Sequence, residues 1–155
     1  KGEKAITHED IRWKRRDIKS VSLLANVIAK KIAQKKGAYE AILIDNGFVT
    51  EGTTSNVWIV KNNILYTHPS NTDILKGITR ESIRHLIKIK KMKLIEKKFN
   101  VKKLYNADEV FITSSASFVT PIIKIDNKKI NRGIIGSISR TLSEIYYDKI
   151  KYDRD

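Results

Sequence analysis

Three segments carry side chains of complementary chemistry. Lys19, within Asp17-Ile18-Lys19-Ser20, offers a primary amine, and Glu51, within Thr50-Glu51-Gly52-Thr53-Thr54-Ser55-Asn56, offers a carboxylate. Gly77, Ile78 and Thr79, within Leu75-Lys76-Gly77-Ile78-Thr79-Arg80, offer backbone N–H groups and a hydroxyl. An amine can close a Schiff base, a carboxylate can hold a protonated ring nitrogen, and donors at a helix start can cradle a phosphate. Ser114 and Ser115 add a second hydroxyl-rich loop. A cofactor with an aldehyde, a pyridine nitrogen and a phosphate, pyridoxal 5'-phosphate, needs one of each.

Each segment makes its own demand on the fold. A Schiff-base lysine must lose its proton part of the time, which takes burial or a neighbouring cation to lower a pKa of about 10.4. Lys19 lies between Ile18 and Val21, close to Arg15 and Arg16, and matches that expectation. Glu51 sits in a polar cluster between apolar runs, where a buried carboxylate needs a cationic partner; taken locally, an exposed turn with Gly52 at positive φ is the favoured reading, and only the companion motifs turn it toward a buried acid. The three histidines, His8, His68 and His85, lack metal-ligand spacing, so no metal is assigned. A hydrolase is unsupported, because no G-x-S-x-G elbow is present.

The elements that must position these groups follow from periodicity. Leu24, Val27, Ile28 and Ile32 predict a helix over about 22–36, directly after Lys19. Residues 39–45 and 48–50 predict a hairpin about Asn46-Gly47, with Glu51 just beyond its second strand. A second strand pair is expected at 55–60 and 64–67. Thr79 is the expected N-cap of a helix presenting Ile83, Leu86 and Ile87. Strands are expected at 94–99 and 109–113, apolar positions 119–125 follow the serine loop, and an amphipathic helix closes the chain at about 133–150. Strands outnumber helices without alternating with them, which predicts an α+β domain with a mostly antiparallel sheet or pseudo-barrel flanked by helices.

The chain of 155 residues carries 41% hydrophobic and 31% charged residues, the balance of one globular domain spanning 1–155. No apolar run reaches the roughly 20 residues of a membrane helix, and no membrane partner is expected. Zero cysteines exclude disulfides, thiolate metal sites and a cysteine nucleophile, and are compatible with a cytoplasmic home. The net charge of +14 can attract nucleic acid. Its densest part, residues 88–103, offers only Phe99 as an aromatic platform, so a basic nucleic-acid-binding module is the alternative of another class and no nucleic acid is the expectation.

Taken together, Asp-Ile-Lys-Ser, Tyr-Glu-Ala-Ile-Leu, Thr-Glu-Gly-x-x-Ser-Asn, Leu-Tyr-Thr-His-Pro, Ile-Leu-Lys-Gly-Ile-Thr-Arg and Thr-Ser-x-x-Ser-x-x-Thr-Pro run in order from about residue 11 to residue 149. The chain thereby resembles the C-terminal, cofactor-binding half of the fold-type IV pyridoxal phosphate enzymes, most closely the D-amino acid aminotransferases. That resemblance implies a ping-pong transaminase acting on an amino acid and a 2-oxo acid through a Lys19 aldimine, with Lys19 then shuttling the proton. It implies Glu51 on the pyridine nitrogen, Leu75 on the ring face, and Gly77, Ile78, Thr79, Ser114 and Ser115 about the phosphate. It further implies an N-terminal α/β domain that these residues do not contain, a homodimer, and the branched-chain aminotransferases and aminodeoxychorismate lyases as neighbouring alternatives.

Overall fold

The computed structural model describes residues 2–152; Lys1 and residues 153–155 of the expected domain lie outside the described residues. Among the described residues, nine strands and four α-helices follow the chain as β1 (Glu3–Glu9), α1 (Leu24–Lys35), β2 (Glu40–Asp45), β3 (Phe48–Gly52), β4 (Asn56–Lys61), β5 (Ile64–Thr67), α2 (Ile78–Ile89), β6 (Lys93–Glu96), α3 (Val101–Tyr105), β7 (Glu109–Ser114), β8 (Phe118–Ile125), β9 (Lys128–Lys129) and α4 (Ser137–Tyr152). The strands form one sheet in the order β3-β2-β1-β8-β7-β4-β5-β6, with β9 added to β8. The α+β class holds, and the sheet is mixed. β1 runs parallel to both β2 and β8, and β5 parallel to β6, whereas the other pairings are antiparallel.

Alternation of side chains divides the core. Val57 and Ile59 of β4, with Val110 and Ile112 of β7, join a cluster that also holds Ile42, Val49 and Ile125. Their neighbours Trp58, Val60 and Phe111 point to the other face, against Ile83 and Ile87 of α2 and Leu142 of α4. A third cluster packs Ala29 and Ala33 of α1 on Ile6, Ala41 and Leu43. Val49 on edge strand β3 and Val57 on β4 share one cluster although four strands separate them in sheet order. That is possible only because the sheet curls into a half-barrel, whose inner face is the first cluster.

The segment after β6 crosses the mouth of the curl. The Lys97 N–H donates to the Thr67 carbonyl at 3.0 Å, and two residues later the Phe99 carbonyl accepts from the Val49 N–H at 2.9 Å. Phe48 and Asn100 then form an isolated bridge. The expected strand over 94–99 therefore stops at Glu96, because residues 97–100 leave β5 to pair with the opposite edge. The hairpin at Asn46-Gly47 holds, with both residues at positive φ, 50° and 79°.

Three elements lie outside the periodicity reading, the two-residue strand β9 and the two that follow. β1 buries only Ala5 and Ile6 deeply and is defined by its two neighbours rather than by its own pattern. α3 is a short helix inside the basic stretch, capped by Asn100, whose Oδ1 accepts from the Lys103 N–H at 2.9 Å. Lys103 lies 3.3 Å from the Tyr66 ring centroid and Lys98 2.6 Å from Asp73, so part of that stretch serves internal contacts.

α4 starts at Ser137, not at 133, because its first N–H groups meet a buried acid. Glu109 accepts from the N–H groups of Ile138 (3.1 Å) and Ser139 (2.8 Å) and from the Ser139 hydroxyl (2.8 Å). A carboxylate there caps the helix and complements its dipole. Any Cβ on Gly136 would overlap the Glu109 carboxyl group. Glu109→Gln is expected to lower the unfolding free energy by about 1–2 kcal/mol and Gly136→Ala by about 1–3 kcal/mol in urea titrations. The double variant should cost less than the sum, since both act on one contact.

Candidate active site

Glu51 lies on β3, and its residue is only 4% exposed. Its Oε1 accepts from Arg12 Nη1 at 2.6 Å, its Oε2 from Asn56 Nδ2 at 3.1 Å, and both oxygens face the Leu75 N–H at 3.1 and 3.2 Å. Burial pushes the Glu51 carboxyl up to about 7, even though the Arg12 charge and hydrogen bond and the Leu75 N–H pull it down. Gly52 does not take positive φ, and the exposed-turn alternative is excluded. Arg12 is in turn gripped by Asp10, through Nε to Oδ1 at 2.9 Å and Nη2 to Oδ2 at 2.8 Å. Burial would raise the Asp10 carboxyl, but Arg12 and the Thr50 hydroxyl outweigh it and hold it below the usual range.

Asn56 links this carboxylate to the start of α2. Its Nδ2 also donates to the Leu75 carbonyl at 2.9 Å, and its Oδ1 would lie 2.5 Å from any Cβ on Gly77. Glycine at 77 thus lets the loop pass closely over β4. Gly77, extended at φ −68° and ψ 142°, is the N-cap of α2. This corrects the reading of Thr79 as the cap: Thr79 is buried one residue inside the helix, and its hydroxyl has no partner among the described residues. Nor, among them, does any group accept from the N–H groups of Ile78, Thr79 or Arg80.

The serine loop reaches the same end of the sheet. Asn56 on β4 pairs with Thr113 on β7, the residue before Ser114. Ser114, however, spends its oxygen on its own turn, with the Ser117 hydroxyl at 2.8 Å and the Ser117 N–H at 3.1 Å. Ser115 is exposed at the tip.

Lys19 stands apart in burial. It is exposed in the irregular segment between β1 and α1, with Ile18 43% and Val21 98% exposed beside it. The buried setting expected for it is therefore not formed by its own neighbours. Arg15 pairs with Asp17 at 2.9 Å and Arg16 with Asp45 at 2.9 Å, so the nearby cations are already neutralised. The segment is nonetheless tied to the site on both sides, by Arg12 to Glu51 and by Asn26 Nδ2 to the Thr53 carbonyl at 2.7 Å.

Several site residues escaped the periodicity reading. Arg12, Asp10 and Thr50 support Glu51, and Glu40, 1% exposed, takes the hydroxyls of both Thr53 and Ser55. Arg80 is fully buried over Trp58 and donates to the His68 carbonyl and Ser70 hydroxyl, each at 2.9 Å, which fixes the start of α2. One signal was present: in a chain that defaults to lysine at solvated positions, Arg12, Arg16 and Arg80 are arginines, the residue suited to forked, buried pairing.

The arrangement is a curled mixed sheet that carries a buried acid and a glycine-capped helix start at one end. The sequence matches the family model of amino-transferase class IV over residues 4–125, and the chain belongs to that family. It is 46% identical over 149 residues to a D-alanine aminotransferase of Bacillus licheniformis, covering 96% of this chain and 53% of the relative. A D-alanine aminotransferase of Staphylococcus epidermidis is 48% identical over 143 residues, covering 92% and 51%. The chain thus spans about half the length of the curated relatives it matches. Among solved structures, a branched-chain aminotransferase of the archaeon Thermoproteus uzoniensis with norvaline superposes with a TM-score of 0.79 at 30% identity, covering 94% of this chain and 50% of that one. The Escherichia coli branched-chain enzyme gives 0.84 at 27%, covering 95% and 51%.

The raised Glu51 pKa predicts a pH dependence with a definite sign. Because the folded value, about 7, lies above the ordinary 4.5, the contribution of this group to stability is complete below 4.5 and is lost as pH rises through 7. Relative to Glu51→Gln, the wild type should therefore lose on the order of 3 kcal/mol between pH 4 and pH 8. Paired denaturant titrations of the two chains across that range measure it.

Proposed function

We propose that this chain is the cofactor-binding part of a pyridoxal 5'-phosphate-dependent aminotransferase, which moves an amino group from a D-amino acid such as D-alanine to a 2-oxo acid in ping-pong order. The observation that carries the reading is the shared anchoring of three groups at one sheet end: the Glu51 carboxylate, the Leu75 backbone and the open N-terminus of α2, all tied through Asn56. The residues fit the cofactor. A buried carboxylate suits a ring cation, and three N–H groups without acceptors among the described residues, beside the unpartnered Thr79 hydroxyl, suit a phosphate.

When bound, pyridoxal phosphate supplies an aldehyde for capture of amines and a ring that withdraws electrons from the substrate carbon. Lys19 Nζ would bind the aldehyde carbon covalently. When free, the Lys19 amine would serve as the base and acid that moves the proton at the substrate Cα. Glu51 would hold the ring nitrogen, and a cation there favours its ionised form, against the burial that raises its pKa. Leu75, half-buried and fixed by both its N–H and its carbonyl, would brace the ring face. Gly77, Ile78 and Thr79 would hold phosphate at the helix start, with Ser115 closing from the other loop, whereas the Ser114 hydroxyl already serves its own turn.

The D-amino acid preference is supported by relatives of 46–48% identity that are named D-alanine aminotransferases. A branched-chain preference is the second reading, favoured by the solved structures at 27–30% identity. An N-terminal domain and a second subunit would cover the exposed apolar residues Ile11, Trp13, Val21, Leu24 and Val27, which lie along the chain on either side of Lys19. No helix of the described residues is long and apolar enough to cross a membrane.

Borohydride reduction of the full-length protein with pyridoxal phosphate, followed by peptide mass mapping, tests the reading. The expected result is an adduct confined to Lys19 and absent from Lys19→Ala; scattered labelling would overturn it. Amino transfer from D-alanine, compared with L-leucine, decides the substrate: a faster reaction with L-leucine would replace the D-amino acid reading with the branched-chain one.

A further inference from the structure

Between Asp10 and Leu23 the chain forms no helix and joins no strand, yet it carries Lys19. Its backbone is held to the rest of the molecule at few points. The Asp10 N–H donates to the Ile44 carbonyl at 2.8 Å and the Arg16 N–H to the Thr72 carbonyl at 3.0 Å. Beyond Arg16 the hydrogen bonds of the segment are local: Arg15 with Asp17, Ile18 with Arg15, Ser22 with Ser20 and Leu23 with Val21. Arg16 is therefore the last fixed point before Lys19, and the next is Asn26 on α1.

The Arg16 side chain is completely buried and faces three carboxylates from three different elements. Nη1 lies 2.9 Å from Asp45 at the end of β2 and 4.0 Å from Asp73 in the loop before Leu75, and Nε lies 3.4 Å from Asp10 at the end of β1. Enclosing a guanidinium costs several kcal/mol unless such partners offset it, and Arg16 contributes to no helix or sheet ladder that would require it. What it does geometrically is close a ring. Asp10 holds Arg12, Arg12 holds Glu51, Glu51 holds the Leu75 N–H, and Asp73, two residues before Leu75, returns to Arg16.

We infer that Arg16 is a positioning residue for the cofactor site: its buried ion cluster sets Lys19 and the Leu75 loop at a common distance from Glu51. The inference rests on the proposed function, since it assigns Lys19 and Leu75 to one site. Loss of the cluster frees the lysine segment relative to the acid and the ring-bracing loop, while Glu51 and the α2 cradle keep their own anchors.

The test uses full-length protein and two readouts other than turnover, the fraction of Lys19 trapped by borohydride at limiting pyridoxal phosphate and the visible circular dichroism of the bound cofactor. Both are taken below the melting temperature of every variant. Arg16→Met is expected to reduce trapping at Lys19 about tenfold, a modest share of what a misplacement near 1 Å can cost, and to lose most of the visible dichroism. Arg16→Lys should recover part of both, because one charge can still reach one carboxylate. If Arg16→Met does not fold, Asp45→Asn carries the test, with a drop of about threefold, the scale of a partly exposed ion pair. Trapping and dichroism equal to wild type, with only a lowered melting temperature, would overturn the inference and leave Arg16 as a stability residue. Failure of the wild type itself to label Lys19 would instead refute the proposed function.

Discussion

A carboxylate enclosed at the end of edge strand β3 dictates much of what surrounds it. Glu51 cannot stay ionised among apolar strands without donors and a cation, and the fold brings them from three segments: Arg12 from the segment after β1, Asn56 from the next strand, and the Leu75 N–H from the loop before α2. Even so, burial dominates and lifts the acid to about 7.

The sheet makes these long-range contacts possible. In sheet order four strands separate β3 from β4; the curl, closed by residues 97–100, brings β3 back beside β4 so that the Glu51 and Asn56 side chains meet. The same curl places the start of α2 and the end of β7 at one rim, through the pairing of Asn56 with Thr113. The anchors on the outer face are equally specific, with Arg80 under α2 and Glu109 under α4 each meeting a helix beginning. Cradle and acid are thus held from below by the core and from the side by buried ions.

Period-two and period-3.6 patterns located most elements, because β2, β4, β7 and α2 bury continuous apolar stripes whose signal is local. The patterns missed β1, which buries only two residues deeply and owes its strand to parallel partners on both sides, and α3, which hides in a run of lysines. They placed the α2 cap at Thr79, because a threonine before an apolar stripe is the usual sign, whereas the close approach of Asn56 selects Gly77. The candidate site was legible in Lys19, Glu51, Leu75, Gly77, Ile78 and Thr79, since these types occur as compact motifs. Arg12, Arg16 and Glu40 were not, because their meaning lies in partners distant along the chain.

By itself, the sequence determined the class of domain and the family, and it put forward an amine, an acid and a helix start as candidate site groups, because residue type and order along the chain specify which chemistry is on offer. Only the tertiary structure decided that Glu51 is enclosed and matched by Arg12, that the Ser114 oxygen is taken by its own turn, and that Lys19 stands exposed on a segment fixed through Arg16. Those outcomes depend on how a curled sheet folds its edges together, and on the cost of burying charge, which is settled by distance in space rather than by distance along the chain.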